Sequence, residues 1–126
     1  MTAWVRVAAL LALAVPAMAQ SPGMYGAIAT TKSHYKMQYG TANGQTDAPA
    51  AIDAAIADCE MRAGIRGACE KHLAFRDRCA AVAEGDDHTG AAEHAVSRQT
   101  AERLAVAMCQ AGNARRCTIV KSFCAG

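Results

Sequence analysis

CEMRAGIRGACEKHLAFRDRC (59–79) spaces three cysteines ten residues apart, and CQAGNARRCTIVKSFC (109–124) brings three more in the same setting. In each stretch a cysteine closes an Ala-rich segment, a second opens a run of extended character, and a third lies beyond that run. The two stretches read as the ends of two copies of one structural plan, and that reading decides the fold.

Working outward from the cysteines, GAIAT (26–30) and HYKMQYG (34–40) read as short strands around a TKS turn, and GTANGQTD as turn-rich chain. APAAIDAAIADCEMR has helical character. Thr46 or Asp47 can cap it, Pro49 is tolerated in its first turn, and Ile52, Ala55, Ile56 and Cys59 share one face. CEKHLAF (69–75) is a third strand. The second copy begins at once, with CAAVAEG (79–85), a DDHT turn and GAAEHAV (90–96). Ser97 then caps AERLAVAMCQ, whose Ala101, Leu104, Ala105 and Met108 line a stripe, and RRCTIVKSF (115–123) closes the copy. Two strand-strand-helix-strand repeats, about 25–78 and 79–126, are expected to form one mainly antiparallel sheet with both helices on one face. The fold class is α+β, stapled by disulfides.

Geometry narrows the fifteen possible cysteine pairings. An extended segment between Cys69 and Cys79 would hold them up to ~30 Å apart, and one between Cys117 and Cys124 up to ~23 Å, whereas a disulfide needs Cα atoms within roughly 7 Å. A helix end can meet the start of the following strand across a short turn. The preferred scheme is therefore Cys59–Cys69, Cys109–Cys117 and Cys79–Cys124, with the third bond expected to tie the two copies together.

The first nineteen residues are a separate matter. Arg6, a short apolar run and Ala17-Met18-Ala19 make a secretory signal peptide over 1–19, leaving a single domain over 20–126. Beyond that leader no segment reads as a membrane span. The 107 residues from Gln20 carry 12 basic and 11 acidic side chains, a net charge of +1 that argues for neither nucleic acid nor an anionic membrane as partner. Ala supplies 24 of them, while Leu, Ile, Val and Phe together supply 13, so the core is thin. Six cysteines in an exported chain of this size supply the missing constraint.

GAIATTKSHYKMQYG, AAIDAAIADC, CEKHLAFRDRCAAVA, SRQTAERLAVAMC and CTIVKSFC together resemble the bacterial "domain of unknown function 4189" family across essentially the whole chain after the leader. The resemblance implies a periplasmic or secreted, disulfide-linked domain, and it brings no catalytic residues with it.

Four kinds of chemistry compete for the side chains that remain. Cys69-x-x-His72 has zinc-like spacing, but an offset of three on a strand points the two residues to opposite faces, and thiolates in an exported chain go to disulfides. GDDHTG (85–90) gathers Asp86, Asp87 and His88, yet lacks the alternating ligands of a calcium loop and suits a hairpin turn. No metal and no cofactor is therefore expected. For catalysis, His34, His72, His88 and His94 are available, but no nucleophile elbow, zinc-protease helix, phosphate loop or dinucleotide fingerprint occurs. Binding is the fourth. Tyr35, Met37 and Tyr39 share strand parity and can form an aromatic patch of the type that anchors interfaces. The expectation is a non-catalytic protein-binding module, of inhibitor or immunity type, with a protein partner in the cell envelope. The alternative is a small periplasmic or secreted hydrolase with a histidine-containing site.

Overall fold

The computed structural model describes residues 23–33 and 37–126, and the expected leader over 1–19 lies outside the described residues. The chain runs β1 (Tyr25–Thr31), β2 (Tyr39–Gln45), α1 (Ala48–Ala63), β3 (Cys69–Arg76), β4 (Cys79–Glu84), β5 (Gly90–Ala95), α2 (Arg98–Ala111) and β6 (Thr118–Cys124). Both helices start on polar caps. Asp47 accepts from the Ala50 N–H at 2.8 Å, and the Ser97 hydroxyl accepts from the Thr100 N–H at 3.1 Å. Gly64 ends α1 in the left-handed region, at φ 73°, and its N–H closes on the Glu60 carbonyl.

The six strands do not join into one sheet. They form two antiparallel three-stranded sheets, ordered β2-β1-β3 and β5-β4-β6, with α1 packed on the first and α2 on the second. The expectation of one sheet with both helices on one face is corrected by what the central strands bury. In β1, Ala27 and Ala29 pack under α1, while Ile28 points the other way. In β4, Ala81 and Ala83 pack under α2, while Ala80 and Val82 point the other way. Ile28, Val82, Phe75 and Phe123 share one buried cluster between the sheets. A single sheet covered on one face would leave these largest side chains in water. Burying them requires a second sheet, which gives layers in the order helix, sheet, sheet, helix.

The small residues on the outer faces set the helix positions. Ala51, Ala55 and Cys59 are the buried residues of α1, and Ala101, Ala105 and Cys109 those of α2. The stripe expected on α2 is thus only half right. Leu104 and Met108 are 42% and 51% exposed, because alanine lets the helix sit too close to the sheet for longer side chains to enter. Of the strand expected over 34–40, residues 34–36 lie outside the described residues; the strand that is seen, β2, begins at Tyr39 and continues through chain that reads as a turn. Gly40 explains this: a Cβ there would overlap the Ala55 carbonyl oxygen and the Cys59 amide nitrogen, so the glycine serves close helix packing.

The disulfides join Cys59 to Cys69, Cys109 to Cys117 and Cys79 to Cys124. Two tie a helix end to the approach of the next strand. The third links residues directly opposite one another on β4 and β6, both in the second sheet. Contrary to the expectation from sequence, it does not tie the halves together. They are held by the shared apolar layer, by the short Asp77–Arg78 joint and by the Gly44 N–H donating to the Ala125 carbonyl at 2.6 Å.

Candidate functional site

The edge of β2 lies over the edge of β6, and a cleft of about 190 Å³ opens between them. Tyr39 and Thr41 come from the first sheet and Gln38 from just before it, Asp58 and Arg62 from the last turns of α1, and Glu84, Val120 and Lys121 from the second sheet. Tyr39 and Glu84 also wall an adjoining hollow that reaches Met37 and His88. The site therefore draws on both halves of the chain, which no short stretch of sequence displays.

Asp58, Arg62 and Glu84 are each placed by a local contact. Asp58 Oδ2 accepts from the Thr41 N–H at 3.0 Å and from Arg62 Nε at 3.2 Å. Asp58 thus covers an edge-strand amide and orients a guanidinium one helical turn away. Glu84 Oε1 lies 3.0 Å from His88 Nδ1 at the mouth of the β4–β5 hairpin. That hairpin is shaped by Asp87, which accepts from the Thr89 N–H at 3.1 Å and the Thr89 hydroxyl at 2.6 Å, and by His88 at φ 61°. The Thr89 hydroxyl bond, with the Thr89 amide after it, lowers the Asp87 pKa.

Tyr39 is the central residue. Its ring packs against the layer between the sheets, and its hydroxyl sits over Gly90, where a Cβ would collide with it. The hydroxyl oxygen is buried and has no hydrogen-bond partner among the described residues. Burial, reinforced by the Glu84 charge, pushes its pKa up to about 12, so it stays a neutral donor at physiological pH.

Of the three residues expected to form the aromatic patch, Met37 and Tyr39 line this connected pair of hollows, and Tyr35 lies outside the described residues. The histidines are scattered. His88 is at the site, and His34 lies outside the described residues. His72 is exposed on β3, while His94 stacks on Phe75 with ring centroids 5.9 Å apart. Cys69 is bonded to Cys59, which removes the thiolate from the zinc-like Cys69/His72 spacing. Sequence reading passed over Asp58, Arg62, Glu84 and Lys121. The one available signal was the i,i+4 spacing of Asp58 and Arg62 near the helix end.

The family described as "Domain of unknown function (DUF4189)" matches residues 25–124, and the chain belongs to it. Among curated proteins and solved structures no match is found. Among the described residues no helix is long and apolar enough to cross a membrane.

Proposed function

We propose that the protein is an exported, non-catalytic binding module of the bacterial envelope, of inhibitor or immunity type. Its contact surface in this reading is the cleft around Met37 and Tyr39. One observation carries the proposal: residues from both halves converge on a partly apolar cleft whose walls are pinned by local hydrogen bonds and flanked by disulfides. A surface held rigid before binding loses little entropy on association. Export is supported by the three disulfides, which persist in oxidising compartments. Two copies of one unit are supported by β-bulges at matching places, between Ile28 and Ala29 in one sheet and between Val82 and Ala83 in the other.

The test is site-directed cross-linking in the envelope of the producing cell. A photoreactive side chain at Met37 or Val120 is expected to yield a discrete adduct, and one at Arg98, the first residue of α2 and no part of the cleft lining, none. Equal labelling from all three positions would remove the cleft from consideration. The hydrolase alternative draws on the Glu84–His88 contact, the one place among the described residues where a carboxylate meets an imidazole in a cleft. Turnover of ester, peptide or peptidoglycan substrates that is lost in His88→Ala would establish it.

A further inference from the structure

The charges in the cleft are not demanded by the fold. Matching Cys59 with Cys109, the positions of Asp58 and Arg62 on α1 correspond to Met108 and Gly112 at the end of α2. Matching Val82 opposite Lys121 with Ile28 opposite Leu73, the position of Lys121 corresponds to Leu73 and that of Glu84 to Thr30. The same backbone plan is thus built without charge at each of these four places. On this side alone, two cations and two carboxylates surround one cleft.

Their pairing leaves an excess of donors. The Arg62 guanidinium uses Nε on Asp58, and among the described residues no acceptor meets its two Nη groups. Asp58 in turn is occupied by Arg62 and by the Thr41 N–H. Glu84 faces His88, and Lys121 has no ion pair among the described residues. A guanidinium held at Nε, with an ammonium lining the same cleft, is suited to a planar oxyanion with two equivalent oxygens. Glu84 and Asp58 keep the total charge of the cleft balanced, which favours a singly charged carboxylate over a phosphate dianion. Val120, 49% exposed, and the Tyr39 ring supply an apolar wall beside the cations.

We infer that this cleft takes the free C-terminal carboxylate of a peptide chain, held between Arg62 and Lys121, with the terminal side chain against Val120 and Tyr39. The inference rests on the binding reading above and names the chemistry by which a partner is recognised. A volume of about 190 Å³ suits one terminal residue and its carboxylate, not a longer folded segment.

The experiment is an amide-resolved NMR titration of the disulfide-intact protein with the tripeptide Ala-Ala-Leu. Its C-terminal amide, an N-acetylated and C-amidated peptide with an internal aspartate, and inorganic phosphate serve as comparison probes. The free acid is expected to shift the amides of Thr41, Arg62 and Lys121, and the amide form to bind about tenfold or more weakly, the loss of one charge-assisted contact. Arg62→Gln and Lys121→Met should each weaken the free acid by about the same factor, with Arg62→Lys intermediate because it keeps charge and loses the fork. Ser97→Ala, remote from the cleft, should leave binding unchanged. Equal binding of acid and amide, tighter binding of phosphate or of the internal aspartate, or no shifts at these residues would overturn the inference. Cross-linking at Met37 that persists while the tripeptide fails to bind would leave the binding module standing and remove only the carboxylate.

Discussion

The rings of Phe75 and Phe123 meet 5.7 Å apart with their planes tilted by 52°, each carried by the last strand of its own sheet. They are the only two phenylalanines in the chain, and both are buried in the layer that joins the sheets. In a core rich in alanine, this contact joins Ile28 and Val82 in supplying the large apolar area between the halves. Phe75→Ala or Phe123→Ala is expected to cost about 3–5 kcal/mol, and the corresponding leucine variants less. Denaturant midpoints of the disulfide-intact protein measure this; a loss no greater than that of an exposed Val96→Ala would remove the pair from the core.

All three disulfides lie within one half or the other, so no covalent bond other than the chain itself crosses the Asp77–Arg78 joint. A specific protease site engineered at that joint should, once cut, leave the halves together in native buffer through the apolar layer. Under denaturing, non-reducing conditions they should separate into two fragments. A single band there would show a disulfide crossing the joint.

The bond between Cys79 and Cys124 closes the longest loop, with a sequence separation of 45, against 10 and 8 for the other two. By the chain-entropy relation, replacing both cysteines with serine should cost about 4 kcal/mol, and removing either local bond roughly 3 kcal/mol. Equilibrium unfolding of the three double variants ranks them directly.

Tyr39 should ionise late, with a pKa of about 12 against an ordinary value near 10. Because the folded value lies above the unfolded one, its contribution to stability is complete below pH 10 and is lost as pH rises through about 12. Ultraviolet titration should show one phenolate delayed to that range, and Tyr39→Phe should delete this component and flatten the alkaline fall in stability. A delayed component surviving in Tyr39→Phe would assign it elsewhere.

Gly40→Ala places a methyl group against the α1 backbone at Ala55 and Cys59, where nothing flexible can yield. The expected cost is about 2 kcal/mol or more, through displacement of α1 from β2. Thermal unfolding measures it, and the variant should also lose the amide protection of Thr41, whose N–H depends on Asp58 of that helix.

The helices were legible because their signals are local: a capping side chain, a proline in the first turn and a run of alanines. The cysteine pairs were legible for a similar reason, since strand and helix lengths limit which thiols can meet. Strand β2 was not, because Gly40, Asn43 and Gly44 carry turn composition, and the reason for Gly40 is a helix that lies later in the chain. Leu104 and Met108 misled in the same way. Their spacing is that of a buried face, but the neighbouring alanines set a separation that excludes them. At the site, Met37 and Tyr39 were visible as an apolar pair near an edge, whereas Glu84 and Lys121 are distant in sequence and gave no sign of meeting them.

The sequence by itself determined both helices, the strands other than β2, their order and the staples at the helix ends, all of which follow from contacts between residues close along the chain. The tertiary structure alone decided that the strands part into two sheets, that Cys79–Cys124 closes the second sheet rather than the molecule, and that a charged cleft lies where β2 passes β6. The physical reason is burial. Ile28, Val82, Phe75 and Phe123 leave water only if a second sheet covers the first, and stacking the sheets brings Tyr39 and Arg62 into one cleft with Glu84 and Lys121.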